Sequence, residues 1–469
     1  MTPNQPGKIS SVYFIGIGGI GMSALARYFN LQGASVSGYD KTPTALTARL
    51  IEEGIPVHFT EDLQLIPSHP DLVVYTPAVP SDHAEMKYYR ETVVPMKKRA
   101  EVLGEITASG KTIAVAGTHG KTTVSTLIAH ILQTANQPFM GFLGGISKNH
   151  GGNFLFFPPH LSLEESQSGQ ALNVVEADEY DRSFLRLTPS VAIITAADPD
   201  HLDIYGHPED LIRSFEAFTS RIQKGGHLIL KQGVAIHPVV QNNYAVHSYS
   251  VDRPTDFKAV NIRLEKDLYH FDLVTPDRLI KELKPGIPGL FNLENAVAAM
   301  AAGYLLGIPD KVLRESLASY QGVQRRFDFR IRSEGLVYID DYAHHPVELT
   351  ACITAVRNLY PGKKITGIFQ PHLFTRTRDF ADDFARSLEL LDELWLLEIY
   401  PAREEPIPGV NAAMLLERIR INKKMILGKQ EVLSRLSEQR PEVLLTLGAG
   451  DIDKLVNPIE TLLGKPEMQ

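Results

Sequence analysis

The sequence predicts an α/β protein of three domains, and three observations carry that class. Short apolar runs recur along the chain, and many lead through a turn into a stretch with apolar residues at helical spacing. Two of them feed glycine turns of the kind that bring backbone N–H groups against phosphate, at 16–21 and at 117–123. The length of 469 residues exceeds what one hydrophobic core holds. The expected division is a Rossmann-like domain over 1–107, a central P-loop ATPase domain with a mostly parallel sheet over 108–324, and a C-terminal Rossmann-like domain over 325–469.

Composition narrows the partners. A formal charge of −8 argues against a general nucleic-acid binder and leaves small anions as ligands. Cys352 is the only cysteine, so no intramolecular disulfide can form and a reducing home is expected. The N-terminus lacks the apolar stretch of a signal peptide, and no run is long enough to span a bilayer. The expectation is a soluble, cytoplasmic monomer or weak dimer.

The first strand, Val12 to Ile15, leads into Gly16-Ile17-Gly18-Gly19-Ile20-Gly21, and helical spacing follows from Met22 to Leu31. A second strand around Val36 ends at Asp40, about where dinucleotide folds place the acid that meets a ribose hydroxyl. Gly18, Gly19, Ile20 and Gly21 would seat a pyrophosphate whatever sugar or base it carries, so NAD and a nucleotide-sugar both fit. Leu72 to Tyr75 runs into Thr76-Pro77-Ala78, the expected opposite wall. Lys97-Lys98-Arg99-Ala100-Glu101 reads as a solvated approach to the next domain.

The second turn is the stronger signal. Thr112 to Ala116 is a strand, Gly117-Thr118-His119-Gly120 a tight turn, and Lys121-Thr122-Thr123 the start of a helix reaching Thr134. Backbone N–H groups point at the anion, Lys121 adds a full charge, and the Thr122 hydroxyl can reach a magnesium ion between phosphates. Only two residues separate Gly117 from Gly120, where the common Walker pattern has four. This reads as an ATP or GTP site.

Beyond it, Ser147 to Asn153 is a polar glycine-rich loop, and Phe157 to Gln170 reads as a surface loop. Asn173 to Val175 then delivers Glu176-Ala177-Asp178-Glu179, and Val191 to Thr195 delivers Asp198-Pro199-Asp200-His201. Oxygen ligands at two neighbouring strand ends suit Mg²⁺, which keeps waters and substrate phosphates in its shell. Further on, Asn292 is expected to cap an Ala-rich helix, with Asn295 one turn along; either amide can reach a base edge, but the residues by themselves read as structural. Gln321 to Phe327 looks like an interdomain join carrying two cations. In the last third, strands end in Asp340-Asp341-Tyr342-Ala343-His344-His345-Pro346, in the run from Gln370 to Arg378 that holds His372 and Arg376, in Tyr400 to Glu404 and in Gly448 to Asp451, a ligand edge of its own.

Taken together, Gly-Thr-His-Gly-Lys-Thr-Thr at 117–123, Glu-Ala-Asp-Glu at 176–179, Asp-His-Leu-Asp at 200–203, Asn-Leu-Glu-Asn-Ala at 292–296 and Asp-Asp-Tyr-Ala-His-His-Pro at 340–346 resemble the Mur ligases, over essentially the whole chain. The runs at 16–23 and 369–377 look like the alanine-adding branch of that family. The resemblance implies UDP-N-acetylmuramate, ATP and L-alanine as ligands, about two Mg²⁺ ions, and UDP rather than NAD on the first turn, with Asp40 and Thr76 beside it. It implies Lys121, Glu176 and His201 as catalytic, and Thr122, Glu176 and His201 as metal ligands. Asn292, Asn295, Arg326 and Asp341 would meet the nucleotide, and Tyr342, His344, His372 and Arg376 the amino acid.

The chain departs from that pattern at Ala196 and Phe291, where asparagine and histidine are common, and at Leu373, where some relatives have arginine. It also lacks a lysine between His201 and Lys224, so a carbamylated lysine beside the second metal is not expected. The competing readings are a ligase that recycles a preformed peptide, a folylpolyglutamate synthase, an NAD-dependent oxidoreductase fused to an NTPase, and a non-catalytic ATP-binding module.

Overall fold

A computed structural model describes residues 9–108, 110–158, 171–402 and 404–464, with the backbone alone at 202 and 203. Most of the stretch read as a surface loop lies outside the described residues; its first residue, Phe157, closes a strand instead.

The N-terminal residues form a five-stranded parallel sheet. Its strands are β1 (Ser11–Ile15), β2 (Ser35–Tyr39), β3 (Val57–His58), β4 (Leu72–Tyr75) and β5 (Met96–Lys98), in the order β3-β2-β1-β4-β5. Helices α1 (Ile20–Leu31), α2 (Ala45–Glu52), α3 (Ala84–Arg90) and α4 (Arg99–Ala108) connect or follow these strands. The order reverses at β1, so the first glycine turn lies at the switch point where such sheets bind ligands.

A ten-stranded sheet follows. It contains β6 (Lys111–Ala116), β7 (Phe139–Phe142), β8 (Phe154–Phe157), β9 (Leu172–Glu176), β10 (Val191–Ile194), β11 (His227–Lys231), β12 (Ala245–Ser250), β13 (Phe257–Glu265), β14 (Leu268–Val274) and β15 (Leu279–Leu283). The order is β15-β14-β13-β12-β11-β10-β6-β9-β7-β8. Strand β6 lies between β9 and β10, parallel to both, with Val115 opposite Glu176 and Ala116 opposite Ile194. The second glycine turn therefore leaves β6 between the two acidic strand ends. Helix α5 (Lys121–Thr134) follows it, and every residue from Thr122 to Leu132 is buried. A helix covered on all sides cannot tilt without opening packed contacts, so its N-terminus is held in place.

The two sheets share one apolar core. Phe14 and Val74 of the first belong to the same buried cluster as Ala114, Val175 and Ile194 of the second. Tyr28 of α1 packs on Phe142 and Phe154 of the β7–β8 hairpin, with ring centroids 5.8 and 6.1 Å apart. Such aromatic pairs contribute about 0.5–1.5 kcal/mol each beyond their buried area. Continuous burial explains why the first sheet and most of the second fall in one compact unit, made of residues 1–262, 271–284 and 294–320.

The other unit comprises 263–270, 285–293 and 321–469. Its six-stranded sheet runs β16 (Asp328–Arg332), β17 (Val337–Asp341), β21 (Val443–Leu447), β18 (Ile365–Phe369), β19 (Glu393–Leu396) and β20 (Lys424–Ile426). All neighbours are parallel except the β16 edge, which is antiparallel. Cys352 is buried in its core. Among the described residues no helix is long and apolar enough to cross a membrane.

Candidate active site

The turn at 117–120 is shaped by what lies beside it. Gly117 has φ +132°, and a Cβ there would stand 2.2 Å from Thr195 Oγ1; a Cβ on Gly120, at φ +84°, would stand 2.6 Å from Asn295 Oδ1. Both positions need glycine for conformation and for space. Thr118 donates its N–H to the Ala196 carbonyl (3.2 Å) and accepts one from Asp198 (3.1 Å) at its hydroxyl. Thr195 donates its hydroxyl to the Ala116 and His119 carbonyls. The His119 ring faces Asp198 at 3.5 Å. The strand end at 195–198 thus clamps the loop through its backbone and the Thr195 hydroxyl.

Lys121 uses its ammonium donors inside the site. Nζ donates to the Gly117 carbonyl at 2.7 Å and to the two Glu179 carboxylate oxygens at 2.9 and 2.8 Å. Burial alone would discharge this lysine, but Glu179, Glu176 and Asp178 outweigh it and raise its pKa. Burial, with Asp178 beside it, pushes Glu179 above the usual carboxylate range. Tyr205 fixes the Glu179 backbone by donating to its carbonyl at 2.5 Å. His201, at φ +53°, lies 3.8 Å from Glu179 and 3.7 Å from Asp200.

Glu176 ends β9 with its Oε2 buried and without a hydrogen-bond partner among the described residues. An orphaned carboxylate oxygen beside a phosphate loop is a fitting first ligand for Mg²⁺. No three His, Cys, Asp or Glu side chains converge on a preformed cage among the described residues. A Cβ on Gly144 would stand 2.1 Å from Glu176 Oε2, so only glycine leaves the carboxylate where it is. Gly144→Ala is expected to lower turnover at least tenfold while shifting the unfolding midpoint little, because a side-chain end can swing away; a wild-type rate would refute this use of Gly144.

In the first glycine turn, Asp40 accepts the Gly18 N–H at 2.8 Å and the Thr42 N–H at 3.1 Å. The acid thus braces the turn itself. Thr76 forms the opposite wall: a Cβ on Gly16 would lie 2.5 Å from its methyl. Gly19 caps α1, and Ile20 and Gly21 begin it.

The sequence missed the groups that tie this turn to the second sheet. Asn153, fully buried, donates to the Ile20 carbonyl and the Ser23 hydroxyl, and accepts from Arg27 at 2.6 Å. Arg99, read as part of a solvated approach, begins α4 and pairs with Asp178 at 2.9 Å. That reading is corrected: the pair draws the residue inward. Neither position has a motif around it; the proximity arises from folding.

Asn292 and Asn295 both lie on the helix Leu290–Leu305. The expected cap at Asn292 is also corrected, since the helix starts two residues earlier and this amide donates to the Pro288 carbonyl at 2.7 Å.

In the other unit, the strand ends bring the expected amino-acid residues together. The Tyr342 and His344 rings are 5.2 Å apart, those of His344 and His372 5.9 Å, and Arg376 Nη1 lies 3.5 Å from His372 Nδ1. Arg376 is buried. Tyr400, which had no assigned role, stacks on His372 at 5.8 Å, and the Arg326 guanidinium sits 4.9 Å over the Tyr342 ring. Asp341 accepts the Phe327 and Ala343 N–H groups at 2.6 and 2.7 Å.

Burial raises the Asp341 pKa to about 7, against the pull of Arg326 and these two N–H groups. The native state then holds a proton that the unfolded chain releases near pH 4, so stability should fall between about pH 4 and pH 7. The contribution is on the order of a few kcal/mol. Urea unfolding followed by the single tryptophan, Trp395, reports on this unit. Asp341→Asn is expected to flatten its pH dependence, and an unchanged slope would refute the assignment.

Comparison with known proteins places this geometry. Models of the Mur ligase family match residues 11–111 (catalytic domain), 115–303 (middle domain) and 325–450 (glutamate ligase domain). The chain belongs to the Mur ligase family. It is 49% identical over 463 residues to the UDP-N-acetylmuramate--L-alanine ligase of Parabacteroides distasonis, covering 98% of each chain. It is 50% identical over 459 residues to the enzyme of that name from Porphyromonas gingivalis, covering 96% of this chain and 98% of the other. The crystal structure of UDP-N-acetylmuramate-alanine ligase from Thermotoga maritima superposes with a TM-score of 0.81 at 26% identity, over 97% and 99% of the two chains. A murein peptide ligase from Psychrobacter arcticus shares the fold, with a TM-score of 0.71 at 21% identity over 98% and 100% of the chains.

Proposed function

We propose that this protein is an ATP-dependent ligase of peptidoglycan synthesis that joins L-alanine to UDP-N-acetylmuramate, releasing ADP and phosphate. The observation that carries the reading is the 49–50% identity to alanine ligases, sustained over 96–98% of the chain. The need for ATP and the single cysteine suit the cytoplasm.

A carboxylate is a poor electrophile, so an oxygen of the sugar's carboxylate attacks the γ-phosphorus and the bond to ADP breaks. The amine of alanine then attacks the acyl carbon of this acyl phosphate, phosphate leaves, and the ammonium proton is lost. Both partners of the first step are anions, so the protein's task is to offset their repulsion and hold them in line. The N–H groups of His119 and Gly120 and of Lys121 to Thr123 cradle the phosphates. Lys121 supplies the fixed charge, preorganised by Glu179. Thr122, Glu176 and His201 are the residues to hold Mg²⁺, which when bound neutralises phosphate charge.

Asn292, Asn295, Arg326 and Asp341 hold the nucleotide, and the 18–21 turn with Asp40 and Thr76 holds the UDP moiety. Arg376, buried beside His372, receives the alanine carboxylate as a bidentate pair, with Tyr342 and His344 shaping the pocket. The small methyl of alanine discriminates against glycine by only about 1–3 kcal/mol.

Phosphate release with Mg-ATP and UDP-N-acetylmuramate, with L-alanine, glycine, L-serine, D-glutamate or a tripeptide in separate reactions, tests this. Turnover highest with L-alanine is expected. Turnover with the tripeptide alone would make the protein a recycling ligase, and none with any acceptor would sink the ligase reading.

A further inference from the structure

Between the first glycine turn and Glu176 lies a small cavity of about 70 Å³. Ile20 and Gly21 of the turn line it together with Gly144, Glu176, Arg99 and Asp178. A second, smaller cavity also touches Arg99, Glu176 and Asp178. Arg99 thus lines two spaces that share the same carboxylates, and it is the one cation lining either of them among the described residues.

The guanidinium is aimed rather than merely present. Nη2 donates to Asp178 Oδ2 at 2.9 Å, the one protein hydrogen bond of this side chain among the described residues. Nη1 lies against Gly21, where a Cβ would stand 2.3 Å from it. The last glycine of the turn therefore makes room for an arginine. Nε and Nη1 keep donors for a ligand, and the side chain is 22% exposed.

Electrostatics give the placement a use. A sugar nucleotide seated on the turn presents its diphosphate to Gly21 and must send its carboxylate towards Glu176, past two like charges. Like charges brought together in a partly desolvated site repel unless a cation intervenes, and arginine's planar fork matches carboxylate and phosphate alike. We propose that Arg99 binds an anionic group of the sugar nucleotide, its diphosphate or its carboxylate, between the first glycine turn and Glu176. This rests on the ligase reading above.

Calorimetric titration of wild type, Arg99→Ala and Arg99→Lys with UDP, UDP-N-acetylglucosamine and UDP-N-acetylmuramate tests it, with ATP as a second ligand. Loss of a charge-assisted pair should raise the Kd of UDP-N-acetylmuramate about 10- to 100-fold in Arg99→Ala. Arg99→Lys, which keeps the charge but not the fork, should fall between, and ATP affinity should stay within about twofold. Weakening of all three uridine nucleotides assigns the contact to the diphosphate; weakening of UDP-N-acetylmuramate alone assigns it to the carboxylate.

Unchanged affinities in both variants would overturn the proposal. So would a parallel loss of ATP binding and thermal stability, which marks a structural ion pair. If Arg99→Ala does not fold, Arg99→Lys decides by the same comparison. Wild-type protein that binds no uridine nucleotide would overturn the ligase reading itself, a result distinct from the others.

Discussion

Lys121→Ala is expected to reduce turnover by at least about 10²- to 10³-fold, the loss typical of removing one preorganised charge or donor from a reacting anion. It should also destabilise the protein. Glu179 is 1% exposed and loses its cation, leaving a buried carboxylate without its ammonium partner. The group can escape by taking a proton, which from an ordinary carboxylate pKa costs about 3–4 kcal/mol at pH 7 and so caps the penalty. Lys121→Ala with Glu179→Gln should recover most of that stability and none of the activity. Initial rates of phosphate release and thermal unfolding separate the two effects. A single variant with wild-type rate would remove Lys121 from the mechanism, and a double variant no more stable than the single would show that the pair does not hold the fold.

Glu176→Gln is expected to do the opposite: to leave stability within about 0.5 kcal/mol and to cut turnover about 100-fold. The exchange preserves shape, and the Oε2 it alters has no protein partner to lose among the described residues. Its charge, on the other hand, is what a divalent cation needs. Half-maximal turnover should therefore require more Mg²⁺ in the variant, measured as rate against free Mg²⁺ at saturating ATP. An unchanged Mg²⁺ requirement would reassign Glu176 to a purely electrostatic or structural part.

The contrast between these residues reflects what can be read along a chain. Lys121 and Glu176 stand out because each follows a short apolar strand at a turn with a known use, and both signals are local. Arg99 and Asn153 carry no such signature. Arg99 sits among charged residues that look solvated in sequence, and only the packing of α4 against β6 and the 3-10 helix Tyr180–Arg186 turns it towards Asp178. Asn153 lies in a polar loop and becomes fully buried because the β7–β8 hairpin presses it on α1. Asn292 shows the converse error, where cap chemistry fits the residue type but the helix begins earlier.

The alternation of strands and helices, the two glycine turns, and the clustering of His, Arg and Tyr in the last third follow from the sequence alone. Each depends on residues within a few positions of one another, where propensity, glycine freedom and apolar spacing act directly. The tertiary structure decided that the first two sheets share one core, that Glu179 rather than solvent holds Lys121, that Asp40 braces its own glycine turn, and that Gly21 admits Arg99. Those contacts join residues 22 to 79 positions apart, or whole layers. Their geometry depends on how buried surfaces fit across layers, and no local preference encodes that fit.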